Sequence, residues 1–382
     1  MNFALTQEQE AFRKAIREVV DKEIAPRAAG YDSTGEFPWD NVRVLAELGY
    51  FGIHIPEEYG GIGADTVSHA IVIEELARGC AATALIYEVH TSLCAEAILK
   101  FGNEEQKKKY LPGLASGSTL GAFALTEPGA GSDAGSLKTT ATLDGDTYLL
   151  NGQKCFISNG NVADVLVVMA LTDRSKGVKG ISAFIVEKGF EGFKTGRVED
   201  KMGLRASAAA ELFFDNCAVP RENLLGKEGE GFKVAMTALD LGRIGVAAQA
   251  TGIAQACLEA ATRYSKQRVQ FGQPISGFQA IQWMLAEMAT DIEAARLMYM
   301  RAAWLHSNGL RCTKEAAMAK MFASSMAVQS AIKAIQVHGG YGYMREYNVE
   351  RYLRDSKVTE IYEGTNEVMR MVISGQVLKE IT

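Results

Sequence analysis

The last third of the chain holds three long runs with helical spacing, at 234–267, 276–307 and 313–339. Each is too long and too apolar to stand alone in water, so the runs must pack against one another as a bundle, ridges into grooves. Helical spacing also fills the N-terminal part, at 5–24, 39–48, 66–78, 81–101 and 104–115. There, Thr6 with Gln9 reads as a capping box, and Phe12, Ile16, Val19 and Val20 fall on one face. Between Leu120 and Pro220 the period changes. Alternating or β-branched stretches at 147–152, 155–158, 164–171, 181–187 and 209–214 are separated by turn signals such as Asp144-Gly145-Asp146 and Asn159-Gly160. The fold class expected is α+β, mostly α: an N-terminal helical domain over 1–118, a barrel- or sandwich-like β domain over 119–228, and a C-terminal helical bundle over 229–382.

With 382 residues, 47% of them apolar, the chain can bury a large core. A formal charge of −6 argues against a phosphate-backbone binder, so no nucleic-acid partner is expected. The six cysteines form no Cys-x-x-Cys pair, which indicates neither a metal site nor a disulfide framework. The N-terminus lacks a basic stretch followed by an apolar run, and no segment is long and apolar enough to span a bilayer. A soluble, cytoplasmic bacterial protein without membrane insertion is expected.

Near the C-terminus, Ile361-Tyr-Glu-Gly-Thr365 puts a carboxylate directly before a glycine, where backbone can approach a ligand closely. Taken alone, this run reads equally as a helix end followed by a capped helix. Three further runs, Leu125-Thr-Glu-Pro-Gly-Ala-Gly-Ser132, Gln267-Arg-Val-Gln-Phe-Gly-Gln-Pro274 and Gln336-Val-His-Gly-Gly-Tyr-Gly-Tyr343, stand with it in a fixed order. Together the four resemble the signature segments of the acyl-CoA dehydrogenases, a likeness that extends over essentially the whole chain. It implies the helical, β, four-helix-bundle architecture and an enzyme that desaturates an acyl thioester between Cα and Cβ, as in fatty acid β-oxidation. That reaction needs a base, an acceptor for the β-hydride, and stabilisation of enolate-like charge; no side chain accepts hydride, so a cofactor must.

The resemblance makes Glu363 the base and FAD the cofactor. It aligns Phe123, Leu125, Thr126 and Ser132 with one side of the flavin, and Phe156, Ile157 and Ser158 with the other. The family usually carries tryptophan where this chain has Phe156. Arg268, Phe271 and Gln279 match contacts to the diphosphate and adenine side from a neighbouring subunit. Gln336, Val337, Gly339 and Gly340 match a main-chain approach to the dinucleotide, and Thr365 and Glu367 further adenosine-side contacts. His338, inside one of these runs, is expected to be structural. Asp240 and Arg243 resemble the substrate turn at the CoA entrance, with Ser132 and Gly364 also facing substrate. Branched-chain isovaleryl and long-chain relatives carry their glutamate at the position of Gly242, so that variant is excluded.

The nearest likeness is to short-chain, butyryl-type bacterial enzymes. In relatives the helix containing residues 84–93 sets chain length, and Glu88 stands where they usually have a small residue. It could floor the pocket, recognise something polar, or turn toward solvent or backbone, which leaves branched or cyclic substrates such as 2-methylbutyryl-CoA or cyclohexanecarboxyl-CoA open. The resemblance further implies electron-transferring flavoprotein as acceptor and a homotetramer built as a dimer of dimers. A catalytically silent acyl-CoA- or flavin-binding protein and an oxygen-using acyl-CoA oxidase are the alternatives.

Overall fold

The computed structural model describes residues 4–381. Helices come first: α1 (Gln7–Val19), α2 (Ala28–Thr34), α3 (Trp39–Glu47), α4 (Thr66–Gly79), α5 (Ala81–Glu88), α6 (Glu96–Phe101) and α7 (Glu104–Ser116). The capping box expected at Thr6 and Gln9 is present, each side chain bonding the other residue's N–H, and Asn103 with Gln106 repeats it on α7. The run 81–101, read as one helix, is interrupted by a π-helical stretch, Val89–Ala95.

The strands follow: β1 (Gly121–Ala124), β2 (Thr140–Asp144), β3 (Thr147–Ser158), β4 (Val165–Leu171), β5 (Ile181–Glu187), β6 (Phe193–Val198), β7 (Ala209–Pro220) and β8 (Leu224–Leu225). They hydrogen-bond in the order β6-β7-β3-β2-β4-β5-β8, with β1 parallel to β4. One residue pair, Thr140 with Leu171, joins β2 to β4, so the sheet is nearly split into two halves. The two stretches expected at 147–152 and 155–158 are a single strand, β3, whose register against β7 slips twice, near Gly152 and before Ile157. A bulge of this kind re-aims side chains: Lys154 is fully buried while Phe156, with φ of 57°, is 66% exposed.

Alternate residues of β4 serve different cores. Val165, Val167 and Met169 pack with the helices; Leu166, Val168 and Ala170 pack inside the β domain. A strand covered on both faces reads as a continuous apolar run, as this one does.

The second helical block contains α8 (Gly231–Gln267), α9 (Gln279–Ser307), α10 (Thr313–His338), α11 (Val349–Lys357) and α12 (Asn366–Glu380), with a short hairpin of β9 (Val269–Gln270) and β10 (Gln273–Pro274) after α8. Helix α8 is apolar nearly all round, as a helix buried by neighbours must be. It packs against α4, α9 and α10, and a Cβ at its Gly252 would collide with the Glu74 carbonyl of α4. Among the described residues, no helix is long and apolar enough to cross a membrane.

Candidate active site

Glu363 lies between a 3₁₀ turn ending at Glu360 and Thr365, which caps α12 by accepting the Val368 N–H. The segment is thus a helix junction, as one reading of this run expects, and its Glu363 lines a cavity. Glu363 has φ of 53° and Gly364 φ of 101°, two consecutive left-handed residues. For a glutamate that conformation is uncommon and needs support from around it.

The support comes from two cations. Arg243 Nε donates to the Glu363 carbonyl (3.3 Å) and its Nη1 to Asp240 (2.9 Å), which Thr313 Oγ1 also holds (2.6 Å). Lys320 Nζ donates to the Gly364 carbonyl (2.7 Å) and to Asn366 Oδ1 (3.1 Å). Next door, the Tyr362 hydroxyl donates to Gln249, whose amide donates to the Ala81 carbonyl at the start of α5. The Glu363 N–H has no acceptor among the described residues.

Glu363 opens onto a cavity of about 430 Å³. It is lined by Phe123, Leu125, Thr126 and the turn Gly131–Gly135, by Phe156, Ile157 and Ser158, and by the apolar side chains of Leu85, Val89, Leu93, Phe232, Met236 and Leu239. Arg243, Tyr362 and Gly364 complete it. Burial pushes the Glu363 carboxyl up to about 7, while Glu88, Arg243 and Lys320 hold it from rising further. A group poised there can accept a proton near neutral pH.

The 125–132 loop is strapped to β3. Lys154 Nζ donates to the Leu125 carbonyl (3.0 Å) and to Glu127 (2.8 Å), Glu127 accepts the N–H groups of Lys138 and Thr139, and the Cys155 N–H donates to Thr126. Burial draws Lys154 down to about 8 against the pull of Glu127. Burial also pushes Glu127 up, but Lys154 and its hydrogen bonds leave it below the ordinary carboxylate value.

A second cavity, about 700 Å³, is lined by Tyr264, Arg268, Gln270, Ile275, Val337, His338, Gly339, Gly340, Tyr341 and Met344. Arg268 lies over the Tyr341 ring at 5.6 Å, and His338 stacks on Tyr264 and binds the Ala334 carbonyl, a structural arrangement. A Cβ on Gly339 or Gly340 would meet nothing within 4 Å, so main chain faces open space there.

The expected residues thus fall into three groups. Phe123, Leu125, Thr126, Ser132, Phe156, Ile157, Ser158, Arg243, Glu363 and Gly364 share the first cavity; Arg268, Val337, Gly339 and Gly340 share the second. Phe271, Gln279, Gln336, Asp240, Thr365 and Glu367 line neither, and Phe271 is 95% exposed at the tip of the β9–β10 hairpin. Glu88 also lines neither: it is completely buried, facing neither cavity nor solvent. Sequence reasoning missed Lys320, Lys154 and the Tyr362–Gln249 pair. The available signal was a lysine at an inward position of an apolar run, as at Ala316, Ala319, Lys320 and Ala323.

Known proteins carry the same plan. The acyl-CoA dehydrogenase N-terminal, middle and C-terminal domain families match residues 6–118, 122–217 and 229–378. The chain is 51% identical over 379 residues to the short-chain specific acyl-CoA dehydrogenase of Clostridium acetobutylicum, covering 99% of this chain and all of that one. It is similar to the solved butyryl-CoA dehydrogenase of Megasphaera elsdenii, with TM-score 0.98, 49% identity, 99% of this chain and 100% of that chain. A solved chain described with the electron transferring flavoprotein of Acidaminococcus fermentans gives TM-score 0.98 at 52% identity, covering 99% of this chain and 100% of that one. Helical, β and helical blocks in this order, with the four signature runs gathered around two cavities, place the chain in the acyl-CoA dehydrogenase family.

Proposed function

We propose that the protein is an FAD-dependent dehydrogenase of short-chain acyl-CoA thioesters, in which Glu363 removes the α-proton. The observation that carries this reading is the shared cavity: Glu363 lines it together with the apolar Leu85, Val89 and Leu93 and with residues of the segments 123–132 and 156–158. We divide the chain for this purpose into 1–118, 119–228 and 229–382.

The residues fit the cofactor. Phe156 offers an exposed aromatic face, and Thr126 and Ser132 offer hydroxyls to the same cavity. Arg268 with the bare main chain of Gly339 and Gly340 suits a diphosphate, since a guanidinium binds phosphate in fork geometry. FAD bound there supplies the hydride acceptor that side chains cannot. The chain's own groups do the rest. Apolar side chains exclude water, which raises the basicity of Glu363, and the free Glu363 N–H is a donor for the thioester oxygen where enolate charge develops. Arg243, itself held by Asp240, fixes the base's main chain, and we assign the pair to the CoA side.

A short apolar acyl group suits the lining by Leu85, Val89, Leu93, Met236 and Leu239. Branched and cyclic acyl groups belong to the same test. Electron-transferring flavoprotein is the acceptor we assign, and we assign a homotetramer in which Phe271, Gln279 and other exposed groups of the C-terminal block, among them Trp283, Tyr343 and Met371, meet neighbouring subunits.

Anaerobic titration with straight, branched and cyclic acyl-CoAs, following the flavin spectrum, tests this reading. Bleaching by a short acyl-CoA is expected, with Glu363→Gln binding FAD and ligand but failing to bleach. A colourless protein would favour the silent alternative, and fast reoxidation by oxygen the oxidase. Wild-type bleaching by Glu363→Gln would remove the base from the mechanism.

A further inference from the structure

Glu88, the last residue of α5, is fully buried, and neither of its carboxyl oxygens has a hydrogen-bond donor among the described residues. Glu363 Oε2 is closed off in the same way. The two carboxyls are close neighbours, each acting on the charge of the other. Helix α8 is shaped to hold them: a Cβ on Gly245 would stand 2.8 Å from Glu88 Cγ and 3.0 Å from its Oε1, and a Cβ on Gly242 would run into Glu363 Oε2. Glycines three apart lie on one helix face, so both carboxyls rest on the same bare strip of backbone.

Two carboxylates have only acceptors to offer each other. A hydrogen bond between them therefore requires a proton on one, and two charges side by side in an apolar wall would be strongly repelled. The surrounding groups decide where the proton sits. From α8 and α10, Arg243 and Lys320 reach the main chain of residues 363 and 364, on the Glu363 side of the pair. The Tyr362 hydroxyl near both carboxyls is engaged with Gln249, and beside Glu88 stands the neutral Ser92 hydroxyl, with no cation acting on it among the described residues. Negative charge is thus favoured on Glu363 and a proton on Glu88.

We infer that Glu88 is a positioning residue that stays protonated and donates its O–H to the Glu363 carboxylate, fixing the base's orientation and the pH at which it becomes able to accept the α-proton. The pair then carries one negative charge at rest. When Glu363 takes up the substrate proton both members are neutral, and that proton leaves Glu363 as product departs. The shifts run the same way: burial, then the charge of Glu363, pushes Glu88 well above the usual carboxylate range. The inference rests on Glu363 being the base.

Two measurements test it. The first is the pH dependence of the anaerobic bleaching rate with butyryl-CoA for wild type, Glu88→Gln and Glu88→Ala. Glutamine keeps a donor, so its acid limb should stay with wild type; alanine removes it, and the limb should move to higher pH, a loss of about tenfold in rate on the acid side. An alanine limb superimposed on wild type, or a glutamine limb at lower pH than wild type, overturns the inference.

The second measurement needs no turnover: isotope-edited infrared spectra of FAD-free and FAD-loaded protein at pH 8. A protonated-carboxyl band should appear in wild type and persist in Glu363→Gln but vanish in Glu88→Gln. A band that survives Glu88→Gln and disappears in Glu363→Gln puts the proton on the base and overturns the assignment. If Glu363→Gln bleaches normally, the functional reading fails, and the infrared result still reports on the pair.

Discussion

Lys320 Nζ lies 2.7 Å from the carbonyl oxygen of Gly364, so a fully buried ammonium grips the main chain immediately after the candidate base. With Arg243 on the Glu363 carbonyl, two successive left-handed peptides have their oxygens fixed by cations. A charged hydrogen bond of this kind is worth about 1.5–3 kcal/mol.

Lys320→Met should therefore leave the fold intact yet free the 363–364 segment. Bleaching by acyl-CoA should slow about tenfold to a hundredfold. Rapid-mixing kinetics at pH 7 are the check, and an unchanged rate would show that the segment holds its shape without the lysine. Burial draws Lys320 down to about 8, so in wild type the same grip should weaken as pH rises past that value.

Gly242→Ala adds one methyl at the point occupied by the Glu363 carboxyl, 2.8 Å from Leu93 Cδ2. The carboxyl must shift. A displacement of about 1 Å at a reacting group costs on the order of a hundredfold in rate, so activity should fall by that much while circular dichroism stays that of wild type.

Lys154→Met would leave Glu127 buried beneath the 125–132 loop without its cation. Removing one partner of a buried pair costs about 3–5 kcal/mol. A lowered Tm is expected, together with loss of flavin during gel filtration; a yellow, thermally unchanged variant would contradict the strapping role.

The pH dependence of stability follows from Glu363. Its carboxyl is raised from 4.5 to about 7 in the folded protein, so between those values the native state holds more protons than the unfolded chain. Stability from this group is full below about 4.5, falls as pH rises through that window, and levels off above about 7. In FAD-free protein Glu363→Gln should thus be more stable than wild type at pH 8 and nearly equal at pH 4.5, measured by denaturant midpoints. Equal differences at both pH values would argue against a raised carboxyl.

Much of this was legible in the sequence because it is local. Thr6 with Gln9 marks a helix start through bonds three residues apart, and β5 emerges at Ile181–Glu187 where β-branched residues cluster. Glu363 was legible through its motif. What stayed hidden depends on partners far along the chain. Lys320 in a helical run reads as a solvated charge until the Gly364 carbonyl is placed beside it, and Glu88 reads as a polar pocket residue until Glu363 is. The single strand β3 was split in the reading because its two register slips interrupt the alternation, and they do so to bury Lys154 and expose Phe156.

The π stretch Val89–Ala95 sets the phase of a helix that lines the cavity. A π turn winds one surplus residue into the helix, which rotates everything beyond it by roughly 100° relative to an uninterrupted α-helix. Leu85 and Val89 lie before or at the start of that offset and Leu93 within it, yet all three meet the cavity. Deleting a single residue there would re-index which side chains look into the cavity, so the winding of this one turn decides which residues beyond it form the lining.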